Sequence, residues 1–343
     1  MALTKNQKIL LGLLAVQAVA IFLFQGPLQG STAPPEEHAL FPGVAELEVG
    51  RVDVKGPEED KSVTLVRDGD IWRIEEAGGY PADGAKVTKL IDSLADMQVR
   101  RPVVTSSRYH DALKVTADDH ERDVRIYPAG KDDPAVELYL GTSPNYRATH
   151  IRRTDEDAVY EVSGLGAYDV RDTPAGWIDT KLLDIRAEDV TGMRVENAGG
   201  SFEVERMADG GWQLISDRQR VLDKAEVDSL VRAAASLSVA EPAGPIDRTA
   251  QGLDPAAATV TLKVKQPAPE TAGEEDESPA GEPEVREVTV WVGSVAPDKD
   301  SQRYVAHSGF DYAARAWKGS LDKLVDATKK SLEPKKDTDD SAG

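Results

Sequence analysis

Five histidines and a dense population of carboxylates are the residues of this chain best able to do acid–base or metal chemistry. The histidines are His38, His110, His120, His150 and His307. None sits four residues from another, so none forms the helical pair that grips zinc, and there is no HExxH. His110-Asp111 and His120-Glu121 lie about ten residues apart and have the donor types of a metal site, but the surrounding residues read as exposed polar loops. Adjacent acids such as Asp118-Asp119 and Asp132-Asp133 are what chance gives in a chain with 61 acidic residues. Glycosidase chemistry needs carboxylates at fixed separations in space, not in sequence. Residues 274–277 (EEDE) carry charge enough for calcium but lack the ligand order and glycine of an EF-hand loop.

Gly164-Leu165-Gly166 is a GxG without a third glycine, a phosphate-binding lysine or a βαβ setting, and reads as a turn into a short closing helix. No GxSxG elbow and no SxxK is present. With no cysteine, the chain has no disulfides, thiolates or acylation site. These residues assign no catalytic, cofactor-binding or metal position, and leave the binding residues unknown. Trp72 and Trp212 have two readings, a flat platform for a sugar face or a core aromatic tying sheet to helix. Their equivalent positions, described next, favour the core.

The elements that would position such groups repeat. Residues 68–74 (DGDIWRI) match 208–214 (ADGGWQL), and 50–54 with 62–67 match 192–196 with 201–206. Residues 81–87 (PADGAKV) match 221–227 (VLDKAEV), 136–141 (VELYLG) match 288–293 (VTVWVG), and 148–152 parallel 303–307. The order is kept, and so is the alternation of apolar and polar residues that marks half-buried strands. Val87, Leu90, Ile91 and Leu94 have helical spacing, which predicts a helix over about 85–97 with Asp83 near its start; the counterpart runs over about 224–237 behind Asp223. Strands in runs with few helices predict an α+β fold, two tandem repeats of a mostly antiparallel sheet with a packed helix. From tryptophan to glycine the second copy is longer by about a dozen residues. The Pro-, Gly- and Glu-rich stretch 266–284 accounts for this as an expanded disordered hairpin loop.

Residues 9–24 (ILLGLLAVQAVAIFLF) are apolar except for Gln17, a run of roughly 24 Å as a helix, near the short limit for a membrane span. Lys5 and Lys8 precede it and acids follow from Glu36, so the positive-inside rule places the N-terminus in the cytoplasm and the bulk outside. The small residues Ser31-Thr32-Ala33 offer a cleavage site, which Pro34 disfavours. The expected layout is a cytoplasmic stub and anchor over 1–30, a spacer over 31–43, repeats over 44–182 and 183–328, and a disordered tail over 329–343. Net charge is −20, so the body beyond the two N-terminal lysines stands near −22 and repels nucleic acid.

The segments DGDIWRI, 80–103 (YPADGAKVTKLIDSLADMQVRRPV), 136–153 (VELYLGTSPNYRATHIRR), ADGGWQL and 288–295 (VTVWVGSV) resemble domain-of-unknown-function family 4340. The resemblance covers nearly everything outside the anchor and tail. It implies a bacterial protein of the inner membrane with a single N-terminal helix, often encoded beside gliding-type ABC transporter components. It supplies no catalytic residues and no cofactor. The expectation is a non-enzymatic accessory subunit whose partners are an ABC transporter permease or other inner-membrane subunits. An independent glycan- or peptidoglycan-binding envelope module is the alternative, and a hydrolase with dispersed carboxylates stands third.

Overall fold

The computed structural model of the chain describes Leu14, Gln17 and residues 36–266 and 284–334. The expected anchor therefore lies, but for Leu14 and Gln17, outside the described residues, as does the stretch 267–283. No helix among the described residues is long and apolar enough to cross a membrane.

The first repeat comprises β1 (His38–Ala39), β2 (Val49–Lys55), β3 (Ser62–Asp68), β4 (Ile71–Ile74), β5 (Tyr80–Pro81), α1 (Gly84–Ala95), β6 (Gln98–Val99), the one-turn α2 (His110–Leu113), β7 (Arg122–Pro128), β8 (Val136–Leu140), β9 (Ala148–Arg153) and β10 (Val159–Ser163). The second comprises β11 (Lys181–Asp184), β12 (Val190–Asn197), β13 (Gly200–Arg206), β14 (Trp212–Leu214), α3 (Lys224–Ala235), β15 (Ser236–Ser238), β16 (Glu241–Pro245), β17 (Ala258–Lys265), β18 (Val285–Ala296), β19 (Lys299–His307), β20 (Tyr312–Trp317) and α4 (Lys318–Val325).

Each repeat folds into one eight-stranded sheet. The orders are β5-β4-β3-β2-β7-β8-β9-β10 and β14-β13-β12-β17-β18-β19-β20-β16, so β4 to β10 and β14 to β20 coincide position by position. All pairings are antiparallel, and β17 pairs with β18 from Ala258↔Val292 to Lys265↔Val285, the hairpin counterpart of β7 with β8. Alternation builds these strands. In β17, Ala258, Val260, Leu262 and Val264 point into the core while Thr259, Thr261 and Lys263 stay half-exposed.

The helices follow the same logic. Asp83 and Asp223 cap α1 and α3 by accepting from Ala85 N and Ala225 N. Val87, Leu90 and Leu94 of α1, and Val227, Leu230 and Val231 of α3, are buried on the helix faces turned to the sheets. Each such side chain contributes about 1.5–3 kcal/mol of burial. A glycine is needed just after β8 and at the matching position inside β18. A Cβ on Gly141 would lie 2.1 Å from Leu113 O, and one on Gly293 2.3 Å from Gln251 O. The following residue in each copy, Thr142 or Ser294, donates its N–H to that same carbonyl.

Several expected boundaries move. β1 pairs with β6, and Leu40 and Phe41 are buried, so the packed body begins within the expected spacer. β11 straddles the expected 182/183 boundary and pairs with β15, the second repeat's counterpart of β1 with β6. A 3-10 turn at Lys330–Leu332 buries Leu332, whose carbonyl accepts from Asp223 N, so the packed body reaches into the expected tail. Among the described residues, only the second repeat closes on an α-helix, α4. The first closes through a turn at 167–169 and a 3-10 turn at Pro174–Gly176, where Thr173-Pro174 and Gly176 interrupt the helical run.

The two sheets meet edge to edge, β5 beside β16. Arg73 Nη1 donates to Tyr312 Oη at 3.0 Å across this seam, and the Tyr80 ring meets Phe310 and Tyr312 edge-on at 5.6 and 5.5 Å. Burial pushes the Tyr80 hydroxyl up to about 12, with the Asp179 charge adding to it. The seam covers two edges that would otherwise offer unpaired backbone to other chains.

Candidate functional site

The histidines do not converge. His110 is buried rather than loop-exposed, because α2 turns its ring inward and Nε2 contacts Asp157 O at 2.9 Å. His120 stacks on Tyr139 with Nδ1 3.0 Å from Thr116 O, and His150 Nδ1 contacts Thr142 Oγ1 at 2.9 Å. His307 stacks on Phe310, and His38 meets Tyr160 edge-on. Each is engaged locally in packing or a hydrogen bond. Asp118, Asp119, Asp132 and Asp133 are exposed, and among the described residues no three His, Asp or Glu side chains gather as metal ligands. Residues 274–277 lie outside the described residues.

Both tryptophans of the repeat are core residues. Trp72 is 7% exposed and Trp212 4%. Trp212 Nε1 donates to Asp228 Oδ1 at 2.8 Å, and the Arg206 guanidinium lies 4.3 Å from its ring. Burial disfavours the Asp228 charge, yet hydrogen bonds from Lys224 and Trp212 hold its pKa below the ordinary carboxylate value.

What the fold does assemble is a groove on the first repeat. Its larger part, about 910 Å³, lies between the loop joining β8 to β9 and the segment after β10. Its smaller part, about 540 Å³, lies between α1 and residues 164–177. The two share Gly164, Leu165, Tyr168 and Asp169, so they adjoin along this segment. Gly164, at φ +85°, starts the turn, and Asp169 Oδ2 closes it by accepting from Gly166 N at 3.0 Å. The Gly164-Leu165-Gly166 turn thus enters a groove wall rather than a helix.

Two tyrosines stand out of this groove, Tyr146 at 88% exposure and Tyr168 at 82%. Each has an arginine over one ring face, Arg147 at 4.9 Å and Arg171 at 5.1 Å from the ring centroids. Lys89, Arg147 and Arg171 line the groove, and none forms an ion pair among the described residues. Lys86 Nζ is committed to Ile178 O at 2.7 Å. Thr142, Ser143 and Thr149 add hydroxyls, with Ser143 Oγ 3.3 Å from Thr149 Oγ1. Tyr146 and Tyr168 carry no periodic signal in the sequence; an aromatic followed by arginine at Tyr146-Arg147 is the one local hint. Flat amphipathic rings with unpaired cations are suited to holding an anionic macromolecule, the side-chain types that concentrate at interface centres.

A second cluster lies on the seam beside a cavity of about 390 Å³. Glu241 there takes Lys299 and Arg315 together with Gln302 Nε2 at 3.2 Å, and Arg315 also bonds Asp298 at 2.8 Å. Burial works against the Glu241 charge, but Lys299, Gln302 and Arg315 hold its pKa below the ordinary value. These charges are mutually paired and tie β16, β19 and β20 together.

No curated protein and no solved structure matches the chain. A family model described as "Domain of unknown function (DUF4340)" matches residues 72–254, from the Trp72 strand to the loop before β17, and so spans the whole groove. That match takes in more than half of the 343 residues, and the chain belongs to the DUF4340 family.

Proposed function

We propose that the protein is a non-enzymatic, membrane-anchored accessory subunit of an ABC-type, gliding-like transport complex, acting outside the cytoplasm by binding a partner protein or envelope substrate. The observation that supports it is the groove of the first repeat, where Tyr146 and Tyr168 stand exposed beside three unpaired cations. Tyrosine and arginine together are the residue types enriched at binding hot spots. Two sheets joined along one seam make a body well suited to holding that groove away from the membrane, with residues 9–24 as the tether. A glycan module built on Trp72 and Trp212 loses its platform, since both rings are buried.

Crosslinking in intact cells followed by affinity purification of the full chain tests this reading. Adducts containing a transporter permease or ATPase are expected. A chain present at its normal level that gives no adduct with any inner-membrane protein contradicts it.

A further inference from the structure

We propose that the groove of the first repeat binds a carboxylate-bearing saccharide, with sugar faces resting on Tyr146 and Tyr168 and carboxylates on the cations beside them. This rests on the reading of the protein as an extracytoplasmic binding subunit and names the class of envelope substrate it takes.

The duplication shows why the groove is there. In the second repeat β20 runs straight into α4, which packs on α3, where Lys323 lies 3.9 Å from Glu226 and donates to Ser229 Oγ. Lys86 and Lys89 of α1 hold the matching positions in the first repeat. There β10 is followed by the turn at Gly164, with φ +85°, and by the break at Thr173-Pro174, so no helix covers this face of α1. The space that α4 fills in one copy is open in the other, and it is lined by Lys89, Tyr168 and Arg171.

The charges in the groove are unequal in their commitments. Its acids are engaged, Glu121 with Lys114 at 2.9 Å and Asp169 with Gly166 N at 3.0 Å. Lys89, Arg147 and Arg171 form no ion pair among the described residues, on a chain that carries −20 overall. Cations left over in one groove of an acidic body select an anionic ligand and steer it there. Arg147 and Arg171 are held over tyrosine rings, which orients their planar forks before a carboxylate arrives.

The rest of the lining suits a saccharide better than a polypeptide. Tyr146 and Tyr168 are 88% and 82% exposed, so an arginine over one ring face leaves the other to solvent. A flat ring face accepts the polarised C–H bonds of a pyranose face. Around them stand Thr142, Ser143, Asn145 and Thr149, small neutral groups that exchange hydrogen bonds with sugar hydroxyls. Leu165 is buried, so the floor offers no apolar pocket for a partner's side chain. Nor is a sheet edge open beside the groove. β6 lies against β10, and Val103 and Val104 exchange backbone hydrogen bonds with Val159. A polypeptide therefore finds neither the side-chain pockets nor the strand edge it uses elsewhere.

The test uses the full chain in mild detergent and fluorescein-labelled tetragalacturonate, read by fluorescence anisotropy. The expected result is saturable binding that weakens with salt and is about tenfold or more tighter than that of the neutral methyl ester. The double variant Arg147→Gln, Arg171→Gln is expected to bring the acid down to the level of the ester. Tyr146→Ala, Tyr168→Ala is expected to abolish binding at probe concentrations that saturate the unmodified chain, with its thermal midpoint unchanged. No saturable binding of tetragalacturonate, or equal binding of acid and ester, overturns the proposal. So does an affinity unmoved by the tyrosine double variant, which would leave a simple anion site. Equally tight binding of a tetraglutamate peptide overturns the saccharide assignment as well. If the saccharide fails while transporter subunits are still crosslinked to the chain, the groove assignment falls and the accessory reading stands. Loss of those crosslinks with saccharide binding intact falls on the accessory reading alone.

Discussion

Arg73 of β4 and Tyr312 of β20 are 239 residues apart in the chain and share a 3.0 Å hydrogen bond, guanidinium to phenol oxygen, across the seam between the repeats. The same Arg73 holds Asp68 at 2.7 Å and Gly79 O at 3.2 Å, so one side chain braces the β4–β5 corner against the second repeat. Tyr312→Phe removes the bond and keeps the ring. It is expected to cost about 0.5–1.5 kcal/mol. In a double-mutant cycle with Arg73→Ala, read by urea unfolding, the two losses should not add. Additive losses would show that the pair is uncoupled.

Gly78 tests the same seam by shape. Its φ is +65°, and a Cβ there would lie 2.9 Å from Pro245 Cδ in β16. Gly78→Val combines left-handed strain with a wedge between two strand edges. A loss of about 1–3 kcal/mol is expected from urea unfolding. A neutral result would mean the edges are not in firm contact.

Much of this architecture is legible in the sequence, and the reason is periodicity. Val52 and Val54, Val260 and Leu262, and the Val87-Leu90-Leu94 stripe all obey one local period and all reach the core. Trp72 and Trp212 could be read as core because duplicated sheets share packing needs. The groove is illegible for the opposite reason. Tyr146 and Tyr168 sit in two separate loops, and which loops approach is a matter of sheet order, not of local pattern. The closing segment of the first repeat misleads further, since its helical-looking run is broken at Pro174. The seam pair Arg73 and Tyr312 carries no sequence signal at all.

The caps of the two helices give a symmetric prediction. Asp83 accepts from Ala85 N at 3.0 Å, and Asp223 from Ala225 N at 2.9 Å and Glu226 N at 3.4 Å. Asp83→Ala and Asp223→Ala should each cost about 1 kcal/mol, whereas Ser or Asn at either position should largely preserve stability. Thermal unfolding of the alanine, serine and asparagine variants at both positions checks this.

Acid should weaken the second repeat through Glu241 and Asp298. Lys299, Gln302 and Arg315 outweigh burial at Glu241, and the Arg315 hydrogen bond lowers Asp298, so both titrate at lower pH folded than unfolded. The unfolded chain therefore takes up protons first. The stabilisation is complete above the unfolded carboxylate values of about 4 and disappears as pH falls through the folded ones. The thermal midpoint should drop from about pH 5 downward, and Glu241→Gln should start lower and fall less steeply. Burial raises Glu156 of the first repeat, which acts in the opposite sense, so the comparison with Glu241→Gln isolates the seam. Parallel pH profiles for the two proteins would contradict the assignment.

Tyr168 separates stability from binding. Its ring is 82% exposed, so Tyr168→Ala should change unfolding free energy by no more than about 0.5 kcal/mol while weakening tetragalacturonate binding at least tenfold. Trp212→Ala should do the reverse. It empties a core position and strips Asp228 of a hydrogen bond, an expected loss of about 3–5 kcal/mol.

The most direct measurement is the mass and composition of the species that mild detergent extracts from cell membranes, with the tagged chain as bait. A subunit of an ABC-type complex is predicted to elute with permease and ATPase subunits at fixed stoichiometry. Elution as the chain alone, correctly folded and at its normal abundance, would contradict the account.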